Sequence, residues 1–326
     1  MLGWVTRAVQ AMQEMFPLEL AEPWDNVGIL VESSFTEEEI GESGAILFTN
    51  DLTEKVLEEA LSAGAKLIIT YHPRPFGSFK RLNLSDVTQR IVLRCARAGI
   101  CVYSPHTACD NASGGVNDWL AQAFSSDPQS ISPVKPMKIE GNVNSTMRLE
   151  APVVTTVPRL KPVTPSIPSL VLQDAFEAMV AGYPGAGSGR IVQLQEHISL
   201  KDAVEVNNPQ TLLKYSRSHV QLLRQCQRGA KLENIKIKSV AVQAGSGGSV
   251  LLGCPADLLV MGEMSHHDAL AAIAAGSSVI LTEHSNSERG FLPQMVDLLQ
   301  TRMQAAGYDK LQYIISTTDS DPLSVV

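Results

Sequence analysis

The sequence predicts an α/β fold with mixed sheets, made of two related α/β halves joined by a proline-rich middle segment. Three observations carry this. Short, almost wholly apolar runs alternate with amphipathic helical segments, the pattern of strands covered by helices on both faces. A ten-residue junction occurs twice and ends in His each time. Eight of the 18 prolines fall between Pro128 and Pro168, where the α/β pattern stops. These features place the N-terminal half at residues 1–125, the middle region at 126–235 and the C-terminal half at 236–326.

In the first half, AILFT (45–49) reads as a buried strand. A helix over EKVLEEALSA follows, capped by Asp51 or Thr53 and stopped at Gly64. KLIITY (66–71) is a second strand, ending at His72-Pro73. A helix over DVTQRIVLRCARA ends at Gly99, and ICVYS (100–104) is a third strand. In the middle region, TTVPRLKPVTPSIPS reads as a linker, because proline removes the donor that a helix or central strand needs. Helices are expected around LQDAFEAMVA and LKYSRSHVQLLRQC, with GAGSGR (185–190) as a flexible loop. In the last half, KSVAVQA, ADLLVMG, VILTE and LQYIIST are strands. HHDALAAIAAG and RGFLPQMVDLLQTRMQAAG are helices between them.

The repeat relates AGAKLIITYH (63–72) to AGSSVILTEH (275–284), with five of ten positions identical and no gap. A helix–glycine–strand junction alone accounts for the Ala-Gly and the apolar residues. It does not account for a His at the same offset. Two such halves packed about a pseudo-two-fold axis would bring His72 and His284 together at strand C-terminal ends, where open α/β sheets bind ligands.

Around these two histidines stand other side chains able to bind a divalent ion. His284 and Glu288 are spaced i, i+4, which puts both on one face of a helix. The competing reading is a capping box, with Ser285 as cap and Glu288 three residues on. SPHTACD (104–110) places His106 and Asp110 just past a strand. Asp110 could bridge two ions or simply stabilise its loop. Taken together, His72, Asp110, His284 and Glu288 form the candidate metal site. One or two ions are expected, with zinc, iron, manganese and magnesium not distinguished. Tyr71, His106, Glu263 and His266 are candidates for supporting or substrate contacts. Gly245 and Gly247, in the turn AGSGGS (244–249), are candidates for holding an anion through backbone N–H groups.

Bulk composition narrows the function classes. The chain has 326 residues, 44% hydrophobic and 18% charged, a globular balance. Its net charge of −8 argues against direct nucleic-acid binding, which runs on Lys and Arg phosphate contacts. No uninterrupted apolar run reaches the ~18 residues of a membrane span. Five cysteines with no C-x-x-C pair suit a reducing compartment. The opening MLGWVTRAVQAMQEMF has one Arg and an internal Glu14, so it reads as a first helix and not a transit peptide.

Several ordered motifs carry a family resemblance. WDNVGILVE (24–32), FTNDLTEKV (48–56), YHPRPF (71–76), SPHTACDNASGGVNDWL (104–120), AGSGGSVL (244–251), GEMSHHDAL (262–270) and EHSNSERGFL (283–292) resemble the Nif-three family. Its members are the NGG-interacting-factor-three-like proteins, also described as type-two homologues of GTP cyclohydrolase I. The resemblance implies a two-lobed, three-layer fold with a duplicated α/β unit, a dinuclear metal cleft and assembly as a homo-oligomer. Its ligand positions fall on His72, Asp110, His284 and Glu288. Where the family often shows His-His-Pro, this chain has Tyr71-His72-Pro73, so Tyr71 replaces a ligand to one of the two metals. Metal ions held by these four residues would activate a water, as in a metal-dependent hydrolase; alternatively, the resemblance implies a transcriptional corepressor acting through protein partners, expected in cytoplasm and nucleus. No guanine-reading signature supports the cyclohydrolase activity itself.

Overall fold

The computed structural model describes residues 3–137, 183–204, 221–223 and 231–322. The expected helix at LQDAFEAMVA and the run TTVPRLKPVTPSIPS lie outside these residues. Two sheets organise the rest. Strands β1 (Gly28–Val31), β2 (Ala45–Thr49), β3 (Ala65–Thr70) and β4 (Cys101–Ser104) form the first sheet with β11 (Gln312–Ile315). Its order is β1-β4-β3-β2-β11, parallel except for the β1–β4 pair. The second sheet contains β5 (Ile131–Pro136), β6 (Gly187–Ser199), β7 (Gln221–Leu223), β8 (Lys236–Ser246), β9 (Leu258–Glu263) and β10 (Ser278–Leu281). Its order is β5-β6-β8-β9-β10-β7, with β8, β9 and β10 parallel.

Both sheets are covered on both faces. Helices Glu54–Ser62 and Val87–Ala98 cover the outer face of the first sheet over Leu47, Ile68 and Val102. Helix His266–Ala274 covers the outer face of the second over Leu259, Met261 and Val279. A continuous apolar core lies between the sheets. The first helix, Trp4–Met15, and the long helix Leu292–Ala305 pack there with residues from both sheets. Thr53 takes the cap of its helix by accepting from the Val56 N–H, and Gly99 ends the next one in the left-handed region.

Four expectations need correction. LQYIIST becomes β11, but it crosses to the first sheet and pairs with β2, because the helix Leu292–Ala305 carries the chain from one sheet to the other. The stretch read as the loop GAGSGR opens β6 instead. Gly187 lies so near the β5 backbone that a Cβ would meet Lys135 O at 2.3 Å, so the glycine marks close strand approach. Part of the proline-rich middle is strand β5, and it tolerates Pro133 and Pro136 because it is an edge strand. Within LKYSRSHVQLLRQC, Gln221–Leu223 is strand β7 and not helix.

Arg190 fastens β6 to the inner helices and is almost fully buried. Its Nε donates to Asp118 at 2.7 Å and its Nη groups donate to the carbonyls of Gly187, Gly189 and Ala112. Removing one member of such a pair strands the other charge. Arg190→Met is therefore expected to cost about 3–5 kcal/mol of unfolding free energy, read by urea denaturation.

Candidate metal centre

The first half supplies His72 through strand pairing that continues past the end of β3. The Tyr71 and His72 N–H groups donate to Thr49 O and Asn50 O, so the ends of β2 and β3 stay in register. This sets His72 beside Asp51. With the cap already taken by Thr53, the Asp51 carboxylate is left to accept from His72 Nδ1 at 2.9 Å. A carboxylate can only accept, so the proton sits on Nδ1 and Nε2 faces inward.

The second half supplies His284 and Glu288 from the end of β10. Glu283 turns the chain with a φ of 67°, and a short helix, Asn286–Arg289, follows. The capping box does not form. Ser285 makes no cap hydrogen bond and its hydroxyl donates to Asp321. Glu288 is thereby free to face the cleft, where it is 3% exposed. His284 Nδ1 lies 2.8 Å from Glu263, so this His has the same carboxylate backing as His72.

The two halves converge on Glu288. His72 Nε2 is 3.3 Å from Oε2 and His284 Nε2 is 3.3 Å from Oε1, with the two rings 5.2 Å apart. Asn50 Nδ2 donates to Oε2 at 3.0 Å. Arg289 pairs with Asp319, which also accepts from the Asn50 N–H at 2.7 Å, tying the C-terminal segment to both halves of the site.

Charge in this cluster is strongly coupled. Burial opposes ionisation of His72, but the Glu288 and Asp51 carboxylates outweigh it and raise its pKa to about 11. The same contest, with Glu288 and Glu263, raises His284 to about 9. Burial likewise opposes the Glu288 charge, and the two imidazoliums hold its carboxyl far below the usual carboxylate range.

The donors fit a divalent ion. Ligand atoms of His72, His284 and Glu288 all lie within 4.8 Å of one another. Ligands about 2.1 Å from a tetrahedral ion stand roughly 3.4 Å apart, close to the 3.3 Å separations from Glu288. His72 Nε2 is buried and, although 3.3 Å from Glu288 Oε2, makes no well-aligned hydrogen bond, so an ion there would satisfy it. Gly245 leaves the necessary room, because a Cβ there would stand 2.6 Å from Glu288 Oε1 and 2.9 Å from His284 Nε2.

The remaining candidates are placed as follows. Asp110, on the short helix His106–Asn111, is not in that cluster of ligand atoms. The buried Tyr71 hydroxyl donates to its carboxylate. Burial pushes Asp110 up to about 6 even though His106 and this hydrogen bond pull it down. His106 borders the cluster, its ring 5.4 Å from that of His72, and its Nδ1 is held by Asp25 at 2.8 Å. His266 is exposed at the start of its helix, with its ring against His267. The anion role expected of Gly245 and Gly247 is not what the turn is built for. Their N–H groups donate to Ser287 Oγ and Glu263 O, and both glycines serve close packing.

Asp25, Asn50, Asp51, Ser287 and Asp319 are the supporting residues that sequence reasoning did not single out for the site. Asp51 was visible as a helix cap and, with Asn50, within the motif FTNDLTEKV, and Asp25 within WDNVGILVE.

Comparison with known proteins gives this arrangement its context. The NIF3-like protein 1 of Homo sapiens is 34% identical over 357 residues, covering 98% of this chain and 91% of that one. The NGG1-interacting factor 3 of Saccharomyces cerevisiae is 32% identical, covering 98% of each chain. A solved Bacillus cereus protein related to NIF3 superposes with a TM-score of 0.71 at 21% identity, covering 98% of each chain, which establishes the shared fold. The model of one family, Duf34/NIF3 (NGG1p interacting factor 3), matches residues 4–322. With that match running through both sheets and every strand that frames the cluster, the chain belongs to the Duf34/NIF3 family.

Proposed function

We propose that this protein binds one divalent metal ion at His72, His284 and Glu288 and acts as a metal-dependent hydrolase of a small molecule. The observation that carries the reading is the convergence of two carboxylate-backed histidines on one buried glutamate at the meeting of the two halves. Two imidazole donors favour zinc, iron or manganese over magnesium. When bound, such an ion supplies Lewis acidity and an acidified water at neutral pH. Asp51 and Glu263 hold the histidine tautomers and orient both rings. His106, oriented by Asp25, stands beside the cluster, placed to contact a bound substrate. Its φ of 24° is strained for a non-glycine residue, as is common where a side chain is held for function.

The proposed site is mononuclear. The carboxylate that would serve a second ion, Asp110, is engaged by Tyr71 instead. Replacing Tyr71 with His adds a ligand and removes that hydrogen bond. The Y71H variant is expected to bind two ions per chain where the wild type binds one, as counted by elemental analysis. A wild type that already holds two would overturn the mononuclear reading.

Hydrolysis is tested by screening phosphate esters and cyclic amides with zinc- and manganese-loaded protein beside Glu288→Gln. Turnover lost in the folded variant supports the enzyme. A second reading is motivated by the yeast relative's printed name, NGG1-interacting factor 3. In it the chain is a transcription regulator that recruits protein partners, with cytoplasmic and nuclear pools and assembly as a homo-oligomer. Partner binding that survives Glu288→Gln, with no turnover in the screen, would favour this second reading.

A further inference from the structure

Two aromatic rings face solvent on the side of the His72–His284–Glu288 cluster that His106 borders. Trp24 is 61% exposed and Phe76 is 55% exposed, which is far from the usual environment of large aromatic side chains. They contact each other with centroids 6.1 Å apart. Both also meet the His106 ring, at 6.1 and 6.4 Å, in edge-on geometry. His106 in turn stands 5.4 Å from His72. A row of rings thus leads from the open rim to the cluster, with only His106 between.

This rim is held in place from below. Asn26 Nδ2 donates to Pro75 O at 2.7 Å, locking the segment that carries Trp24 to the one that carries Phe76. Asp25 accepts from His106 Nδ1 and from the Thr107 N–H and hydroxyl, which fixes Trp24 to the start of the helix His106–Asn111. Two exposed rings on segments pinned by part-buried polar contacts are preorganised for a ligand, because little loop freedom remains to be lost on binding. Arg74 lies between His72 and Phe76 in the chain, and its Nε is buried with no hydrogen-bond partner. Its charge, which also acts on the Glu54 carboxylate, is a cation on the segment that joins the aromatic rim to the cluster.

We infer that Trp24 and Phe76 form a stacking platform for a planar heteroaromatic ring whose attached oxyanion, a phosphate or a carboxylate, points toward Arg74 and the proposed metal site. The platform selects for a ring face and not for a particular ring edge, since stacking tolerates any planar π system. The direction of the oxyanion rests on the metal-site reading above. The ring contact does not, and the two are tested separately.

The test uses the full chain loaded with zinc, with zinc content measured for every variant. Adenosine 5′-monophosphate and nicotinate are titrated by calorimetry as the phosphate and carboxylate probes. Ribose 5-phosphate serves as the anion without a ring, and adenosine as the ring without an anion. Trp24 is the solvent-facing tryptophan, Trp4 and Trp119 being buried, so a stacked ring is also read as quenching of exposed tryptophan emission. The expected result is saturable binding of at least one ring-bearing probe, weakened on the order of tenfold by Trp24→Ala and by Phe76→Ala. Zinc content and ribose 5-phosphate affinity stay at wild-type values in both variants. If the wild type binds no zinc, the metal reading fails, and adenosine binding to the metal-free chain still decides the platform. Ring probes that bind both variants as tightly as wild type would overturn the proposal. So would the absence of any ring-dependent binding at millimolar concentration. A changed sedimentation coefficient in Trp24→Ala, with ring affinity unaltered, would also overturn it and assign the two rings to a contact between subunits.

Discussion

Gly245→Ala is expected to remove metal binding while leaving the protein folded. The added methyl would stand 2.6 Å from Glu288 Oε1 and 2.9 Å from His284 Nε2. These are two of the three donor groups, and neither can retreat easily. Glu288 is buried and hydrogen-bonded by Asn50, and His284 is tethered to Glu263. The methyl therefore occupies the space that the ligands must share with an ion. A loss of metal affinity on the order of 100-fold or more is expected, at the upper end of what disturbed ligand support costs elsewhere. Alanine at a φ of 63° also carries a backbone penalty of about 1–2 kcal/mol. Gly307→Ala separates the two effects. Gly307 has a φ of 87° with nothing within 4 Å of its would-be Cβ. It should show a similar stability loss and full metal content. Calorimetric metal titration of both variants checks the prediction.

Metal affinity is expected to climb by about 100-fold per pH unit between roughly pH 7 and 9, because each coordinating imidazole must first lose a proton. Without metal, His72 holds its proton to about pH 11 and His284 to about 9. An ion entering at neutral pH therefore displaces two protons, and one above pH 9. Stability of the metal-free protein runs the other way. For His72 and His284 the folded pKa is raised, so their contribution is complete below 6.5 and is lost as pH rises toward 9 and then 11. For Glu288 the folded pKa is depressed, so its contribution is present above 4.5 and is lost in acid. The cluster supports the metal-free fold most between about pH 4.5 and 6.5, and the metal-induced rise in Tm should grow as pH moves above that window. Thermal melts with and without zinc from pH 6 to 9 check both signs. A metal-induced Tm rise that shrinks with pH would contradict the assignment of the histidines as ligands.

The site was legible where local chemistry and chain position coincide. The repeat placed His at the end of two equivalent strands, and the fold brings those rings to 5.2 Å. The spacing of His284 and Glu288 left a capping box open as an alternative. Tertiary contacts decided it, since Ser285 is drawn to Asp321 and Glu288 to the other half of the molecule. Asp51 could not be read because its neighbour Thr53 was an equally good cap; only the structure shows which one took the role. At Gly245 the sequence left an anion turn and a tight turn equally open, because a glycine needed for space leaves the same trace as one needed for exposed N–H groups. Among the elements, β5 and β6 were hidden by proline and glycine that signal a loop locally but are tolerated at a sheet edge and at a close strand approach. The crossing of β11 into the first sheet leaves no local mark at all, since pairing partners are chosen by the packing of the whole chain.

The central claim is that His72, His284 and Glu288 hold a divalent ion, and elemental analysis of purified protein beside Glu288→Gln tests it most directly. One zinc, iron or manganese ion per wild-type chain is expected, with almost none in the folded variant. A wild type that carries no metal after reconstitution, or a Glu288→Gln protein that keeps its ion, would contradict it.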